Sequence, residues 1–126
     1  MKENFNLRVL IIEDSNTYMS IIADMLSKYS LHKATSAKEG LAKFKVQTPD
    51  ITFLDLTLPD GDGHVLLKEI RKINPSAFII MTTGTKTEES VKKAAENKVD
   101  GYIVKPYSRQ QIELCIDKFF AQKDTN

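Results

Sequence analysis

The sequence has few of the residues on which disulfide-bonded, zinc-binding or nucleic-acid-binding domains depend. Its 126 residues include one cysteine, Cys115, which excludes an internal disulfide and which we interpret as a core residue. The two histidines, His32 and His64, are far apart in sequence, and no Cys/His pair has the spacing of zinc ligands. The formal net charge is +1 without a block of like charge, so we expect neither nucleic acid nor an anionic membrane as a direct partner.

Long apolar runs are also missing. No run approaches about 18 residues, and the N-terminal segment has no apolar signal core, so we expect a cytoplasmic protein. Hydrophobic residues make up 41% and charged residues 28%, as in soluble globular domains. The length fits one domain over residues 1–126, with a core at about 7–120.

Several catalytic and binding motifs are absent. There is no P-loop and no Gly-x-Ser-x-Gly elbow. The segment 60–63 is similar to the start of a calcium loop, but its twelfth position is Arg71 instead of glutamate. We therefore interpret Asp60 and Asp62 as turn residues.

Apolar patterning indicates a regular alternation of strands and helices. Short apolar runs predict strands at about 7–12, 31–35, 51–54, 78–81 and 102–104. Helix-periodic segments follow each of them, and the third is marked by Val65, Leu66, Ile70 and Ile73. Residues 55–63 are rich in Pro, Gly and Asp and predict a loop. The alternation predicts an α/β fold with a five-stranded, doubly wound parallel sheet, whose ligands bind at the carboxyl ends of the strands.

Polar side chains follow four of these strands. Glu13 and Asp14 follow the first, Asp55 the third, Thr83 the fourth and Lys105 the fifth. Each alone has a structural explanation, because acidic residues start helices, Asp is common in turns and a Lys-Pro pair is usually solvated. In a doubly wound sheet with the first strand central, however, these ends are neighbours.

This set of side chains indicates phosphoryl chemistry. Carboxylates about 5 Å apart repel by about 3 kcal/mol per pair at an effective dielectric of about 20, which a cation would offset. An all-oxygen cluster suits Mg²⁺, and Mg²⁺ with open positions accepts phosphoryl oxygens. Lys105 supplies a positive charge and Thr83 a hydroxyl donor. The remaining carboxylate is a nucleophile able to form an acyl phosphate.

Four segments, 9–14, 55–63, 81–84 and 102–107, resemble the receiver domains of two-component signalling, of the CheY-like type. The resemblance extends over about 7–120 and implies a flavodoxin-like (βα)5 fold. It implies a phosphorylation-controlled switch, not a substrate-converting enzyme, although such a domain catalyses its own phosphorylation and dephosphorylation. The phosphodonor would be a histidine kinase or histidine phosphotransfer protein. The downstream protein would bind the fourth helix, fifth strand and fifth helix, roughly 88–120.

The resemblance also implies a role for each site residue. Asp55 would be the phosphoacceptor, Thr83 the switch hydroxyl and Lys105 the phosphoryl-binding amine. The Mg²⁺ ligands would be Asp14 and Asp55 directly, Glu13 through a water, and the backbone carbonyl of Thr57. Tyr102 matches the aromatic residue whose rotamer changes on activation, although a plain strand aromatic is the alternative explanation. The bond between Lys105 and Pro106 is expected to be cis.

Some positions vary within the pattern, and alternatives stay open. Glu13 stands where many relatives have Asp, and Gly84 leaves the phosphoryl site open. Thr57 and Thr85, neither an acid nor an amide, occupy positions that tune dephosphorylation, so the phosphoryl lifetime is not predicted. One alternative is a haloacid-dehalogenase-type phosphatase, which usually has a second Asp where this chain has Thr57. The other is a degenerate receiver that binds partners without phosphorylation.

Overall fold

The structure, a computed structural model, describes residues 6–124, so the predicted domain of residues 1–126 extends past the described residues at both ends. Five strands of one sheet alternate with five helices, as the sequence predicts. The elements are β1 Arg8–Ile12, α1 Asn16–Met25, β2 Ser30–Ala34, α2 Ala37–Gln47, β3 Ile51–Asp55, α3 Gly63–Ile73, β4 Phe78–Thr83, α4 Glu88–Glu96, β5 Gly101–Val104 and α5 Arg109–Asp124.

The five strands form one parallel sheet in the order β2-β1-β3-β4-β5. Val9 of β1 pairs with Leu31 of β2 on one side and with Ile51 of β3 on the other. The chain therefore moves outward from β1 in one direction and returns to build the other half, which is the predicted doubly wound topology. The carboxyl ends of β1 and β3 lie side by side at the point where the strand order reverses, the usual place for a site in such sheets.

Both faces of the sheet are covered by helices. In β1, Val9 and Ile11 point to the face covered by α1 and α5, whereas Leu10 and Ile12 point to the face covered by α2, α3 and α4. All four side chains are at most 1% exposed. Two-sided burial explains why the strands are nearly continuous apolar runs without polar alternation.

The segment 55–63, predicted as a loop, is more ordered than expected. Asp55 is the last residue of β3, and the segments Thr57–Leu58 and Gly61–Asp62 pair as a two-stranded antiparallel ribbon closed by a Pro59-Asp60 turn. Each side of the ribbon is only two residues long, too short for an apolar period. The ribbon holds Thr57 next to the end of β3.

Every helix begins at a capping side chain, whereas the predicted apolar face of α3 is partly wrong. Val65 and Ile73 are 60% and 44% exposed, because the buried side of α3 is formed by its residues 63, 64, 66, 67 and 70. Side chains that accept a hydrogen bond from the first turn cap all five helices: Ser15, Ser36, Asp62, Thr87 and Ser108. Among residues 6–124, no helix has the length and apolar character to cross a bilayer.

Candidate functional site

The carboxyl ends of β1, β3, β4 and β5 open into one cleft of about 640 Å³. It contains every side chain that the sequence singles out after these strands. Backbone pairing explains the convergence, because Asp55 is in register with Thr82 of β4 and Thr83 with Val104 of β5. The predicted site residues that line the cleft are Glu13, Asp14, Asp55, Thr57, Thr83 and Lys105.

Three carboxylates crowd one corner of this cleft. Oxygen atoms of Glu13, Asp14 and Asp55 all lie within 4.8 Å of one another. Glu13 and Asp55 are 1% and 3% exposed, whereas Asp14 is exposed. Burial raises the pKa of Asp55 to about 6, and the negative charge of Glu13 adds to the rise. The N–H of Thr57 and the ammonium of Lys105 lower the pKa, but they do not outweigh burial. The arrangement therefore carries an electrostatic cost that a cation would relieve.

Lys105 is the ammonium group that faces these carboxylates. Its Nζ lies 2.6 Å from Glu13 Oε1 and 3.0 Å from Asp55 Oδ2, and its side chain is 6% exposed. The ammonium also lies over the ring of Tyr18, 4.6 Å from the centroid. Burial alone would lower the pKa of Lys105, but the two carboxylates outweigh burial and raise it. Lys105 therefore stays charged next to the oxygens of Asp55.

Glu13 is held by donors from three directions. Its Oε1 accepts from the hydroxyl of Tyr107 at 2.9 Å as well as from Lys105, and its Oε2 accepts from the backbone N–H of Ser15 at 3.1 Å. Burial would raise the pKa of Glu13, but Lys105 and the Ser15 N–H outweigh it and hold the pKa below its usual value. Sequence reasoning missed Tyr107, although its position directly after Lys105-Pro106 was a usable signal.

Two threonines, Thr57 and Thr83, also line the cleft, and each makes a hydrogen bond there. The backbone N–H of Thr57 donates to Asp55 Oδ1 at 3.1 Å, which orients the carboxylate. The Thr83 hydroxyl donates to the carbonyl of Thr85 at 2.9 Å and accepts from the N–H of Thr85 at 3.1 Å. Thr83 therefore engages its own loop in this state. A Cβ at Gly84 would meet no other atom within 4 Å, so this part of the cleft is open space.

Gly63 allows the backbone to close around Asp55. A Cβ at this position would lie 2.5 Å from the carbonyl oxygen of Asp55 and 2.7 Å from Cα of Leu56. The N–H of Gly63 donates to the carbonyl of Leu56 at 2.7 Å. Glycine allows two backbone segments to approach this closely because it has no Cβ.

Tyr102 is part of a hydrogen-bonded chain that the sequence did not suggest. Its hydroxyl lies 2.9 Å from Ser90 Oγ, which in turn lies 3.2 Å from Nε2 of His64. Half-buried Tyr102 also packs against the core on the side of α2, α3 and α4. Sequence spacing could not reveal these hydrogen bonds, because the three residues lie on β5, α4 and α3.

The donor set fits a hard divalent cation. Among residues 6–124 it consists of three carboxylates, without a sulfur or imidazole ligand. With Asp55 ionised, three carboxylates against the ammonium of Lys105 leave two formal negative charges, which one divalent cation would neutralise. The predicted cis bond between Lys105 and Pro106 is present. Asp60 and Asp62 accept hydrogen bonds from the first turns of α2 and α3, which confirms a structural role for them.

Comparison with known proteins gives consistent matches over nearly the whole chain. The sequence matches the response regulator receiver domain family over residues 9–117. It is 32% identical to the chemotaxis protein CheY of Bacillus subtilis over 114 residues, which are 88% of this chain and 95% of that protein.

Solved structures agree. The CheY-like response regulator receiver domain protein of Methanospirillum hungatei JF-1 superposes with a TM-score of 0.88 at 27% identity, covering 96% of this chain and 99% of that one. A chain in the CheX–CheY–BeF3–Mg²⁺ complex of Borrelia burgdorferi superposes with a TM-score of 0.84 at 27% identity, covering 90% and 89%.

Proposed function

The chain belongs to the response regulator receiver domain family, which carries phosphorylation-dependent signalling in two-component systems, and we propose that Asp55 is its phosphoacceptor. The observation that carries this proposal is the position of Asp55. Its Oδ1 is oriented by the Thr57 N–H, its Oδ2 faces Lys105, and the cleft opens above it. A carboxylate fixed in this way can attack a phosphorus atom and displace its leaving group.

We propose that Mg²⁺ is the cation of the site. Asp14 and Asp55 would be direct ligands, together with the backbone carbonyl of Thr57. Glu13 already accepts three hydrogen bonds and would act through a water. When bound, Mg²⁺ neutralises negative charge on the phosphoryl oxygens and on the carboxylates. The exposure of Asp14, beside the buried Glu13 and Asp55, supports its role as the outermost ligand.

The chain's own side chains supply the remaining stabilisation of transferred charge. Lys105 can exchange its contact with Asp55 for a phosphoryl oxygen while keeping Glu13, since Nζ carries three donors. Thr83 must give up its bonds to Thr85 before its hydroxyl can donate to the phosphoryl group. This exchange would make Thr83 the switch residue, and its movement would let Tyr102 rotate.

The partners follow from this chemistry as part of the same proposal. The phosphodonor would be a phosphohistidine on a histidine kinase or phosphotransfer protein, which would place the domain in the cytoplasm. The downstream protein would bind the surface of α4, β5 and α5, about 88–120. Receiver domains are signalling switches, and catalysis here would be limited to the domain's own aspartyl phosphorylation and dephosphorylation, with Lys105 and the cation neutralising charge.

The alternatives have weaker support. A haloacid-dehalogenase-type phosphatase would need an acid where Thr57 stands, and a threonine hydroxyl does not exchange protons as a carboxyl group does. A degenerate receiver would not need the full set of Glu13, Asp14, Asp55 and Lys105, which this chain assembles in one corner.

The experiment is intact-mass measurement after incubation with acetyl phosphate and Mg²⁺. One added phosphoryl group is expected for the wild type and none for Asp55→Asn, because an amide does not form an acyl phosphate. Turnover of a generic phosphate ester would instead support the phosphatase. The absence of labelling in a folded wild type would support the degenerate receiver.

A further inference from the structure

Tyr107 is a buried tyrosine that donates a hydrogen bond to one of the three carboxylates of the cleft. It is 7% exposed, and its hydroxyl lies 2.9 Å from Glu13 Oε1. Its ring packs edge-on against the ring of Tyr18, with 5.7 Å between the centroids, on the face of the sheet covered by α1 and α5. The next residue, Ser108, caps α5 and anchors the backbone beside Tyr107. The hydroxyl therefore has a fixed position against which Glu13 is held.

The hydrogen bonds to Glu13 fill most of its capacity to accept. An ionised carboxylate has about four acceptor positions, two on each oxygen. Oε1 uses both of its positions, for Tyr107 and for the ammonium of Lys105, whereas Oε2 uses one, for the backbone N–H of Ser15. The remaining position suits a water of a cation's hydration shell. Turning the carboxylate further toward a cation would break one or more of these hydrogen bonds.

The length of the Glu13 side chain matches the position of the Tyr107 hydroxyl. An aspartate at position 13 would be shorter by one carbon–carbon bond, about 1.5 Å. Withdrawal by that distance from 2.9 Å would carry the carboxylate past the upper limit of a hydrogen bond, about 3.2 Å. Glu13 nevertheless remains close to the other acids, since one of its oxygens lies within 4.8 Å of oxygens of Asp14 and Asp55. It is therefore near enough to bind a cation directly if it is released.

We propose that Tyr107 is a positioning residue that holds Glu13 against Lys105, keeps it from binding the cation directly and thereby favours Mg²⁺ over Ca²⁺. This inference rests on the proposed function, in which Asp14 and Asp55 bind a divalent cation. Mg²⁺ keeps several waters and needs only one or two carboxylates, whereas Ca²⁺ takes about six to eight oxygen ligands in flexible geometry. One more carboxylate therefore benefits Ca²⁺ more than Mg²⁺, and the Tyr107 hydroxyl withholds that carboxylate.

Titration calorimetry of Tyr107→Phe with Mg²⁺ and with Ca²⁺ tests the proposal. Phenylalanine keeps the ring and its packing but lacks the hydroxyl, so Glu13 can turn toward the cation. A hydrogen bond to a charged group changes an equilibrium by roughly tenfold or more, so its partial loss on cation binding predicts a ratio of Ca²⁺ to Mg²⁺ affinity about fivefold higher than in the wild type. Tyr29→Phe removes a tyrosine hydroxyl outside the cleft and should leave this ratio unchanged. An unchanged or lower ratio in Tyr107→Phe would overturn the proposal.

Glu13→Asp provides a matched background in which the Tyr107 hydroxyl has no carboxylate to hold. Adding Tyr107→Phe to this background should change the ratio by less than about twofold, because the two residues no longer interact. A similar rise in both backgrounds would show that the hydroxyl acts without Glu13 and would overturn the proposal. A purely structural role of Tyr107 would lower the midpoint of urea unfolding and leave the ratio as it is in the wild type.

The phosphoacceptor assignment is decided by a different measurement. If intact-mass measurement finds no phosphoryl group on a wild type that binds Mg²⁺, the proposed function fails, and the calorimetric comparison still decides the role of Tyr107. If the wild type is phosphorylated on Asp55 and the ratio does not respond to Tyr107→Phe, the proposed function stands and this inference fails. Binding of neither cation to the folded wild type would contradict the proposed cation site and this inference with it.

Discussion

Replacing Asp55 by asparagine should stabilise the metal-free fold above about pH 6. Burial and the charge of Glu13 raise the pKa of Asp55 from 3.8 to about 6, so the folded domain disfavours its carboxylate form. At about 1.4 kcal/mol per pH unit, this difference corresponds to about 3 kcal/mol. The amide of the Asp55→Asn variant would keep an oxygen that can accept from the Thr57 N–H, and it would carry no charge. The variant should therefore recover up to about 3 kcal/mol of unfolding free energy.

The advantage should depend on pH with a definite sign. A carboxyl whose pKa is higher in the folded state contributes its full stability below its unfolded pKa and loses it as pH rises through the folded value. Wild type should therefore lose stability relative to Asp55→Asn between about pH 4 and pH 6. Below about pH 4 the two proteins should differ little from this cause.

Urea unfolding in EDTA at a series of pH values provides the assay. With an m-value of about 2 kcal/mol/M, the midpoint of Asp55→Asn above pH 6 should lie about 1.5 M higher than that of the wild type. Asp117→Asn makes the same change on the exposed face of α5 and should stay within about 0.5 kcal/mol of the wild type. Equal stability of wild type and Asp55→Asn at about pH 8, or a gap that widens toward about pH 4, would refute the reasoning.

Three further changes test other parts of the site. Asp14→Ala should weaken Mg²⁺ binding most among the acidic residues, and a titration calorimetry result equal to wild type would contradict that assignment. Thr83→Ala should still accept phosphate on Asp55, but beryllofluoride should then change amide NMR shifts only near Asp55. Equal changes across 88–120 in both proteins would contradict the switch. Gly63→Ala should destabilise the fold by about 1–3 kcal/mol, because its Cβ would lie 2.5 Å from a backbone oxygen, and urea unfolding measures the loss.

The fold was largely predictable because each element carries a strong local signal. Strands buried on both faces are apolar runs, and helix starts such as Ser108 carry a capping side chain within the sequence. The ribbon at 57–62 was not predicted, because strands of two residues are too short to show an apolar periodicity. The exposure of Val65 was also missed, because an apolar residue on a helix indicates a buried face only after the packing direction is known.

The site was predictable where the fold alone brings residues together. Strand ends place Glu13, Asp55 and Lys105 in one cleft for any doubly wound sheet with this strand order. Contacts made by rotamers were not predictable. The bond from Tyr107 to Glu13 and the chain from Tyr102 through Ser90 depend on side-chain directions that spacing does not determine.

The central claim is that a phosphoryl group is held on Asp55, and reductive trapping tests it most directly. Borohydride reduces an acyl phosphate to an alcohol, so peptide mass spectrometry after phosphorylation identifies the carboxyl that carried the group. With a phosphohistidine donor and Mg²⁺, we expect reduction at position 55 alone and none when EDTA replaces the metal. Reduction at Asp14 or Glu13 instead, or equal reduction with and without Mg²⁺, would contradict the account.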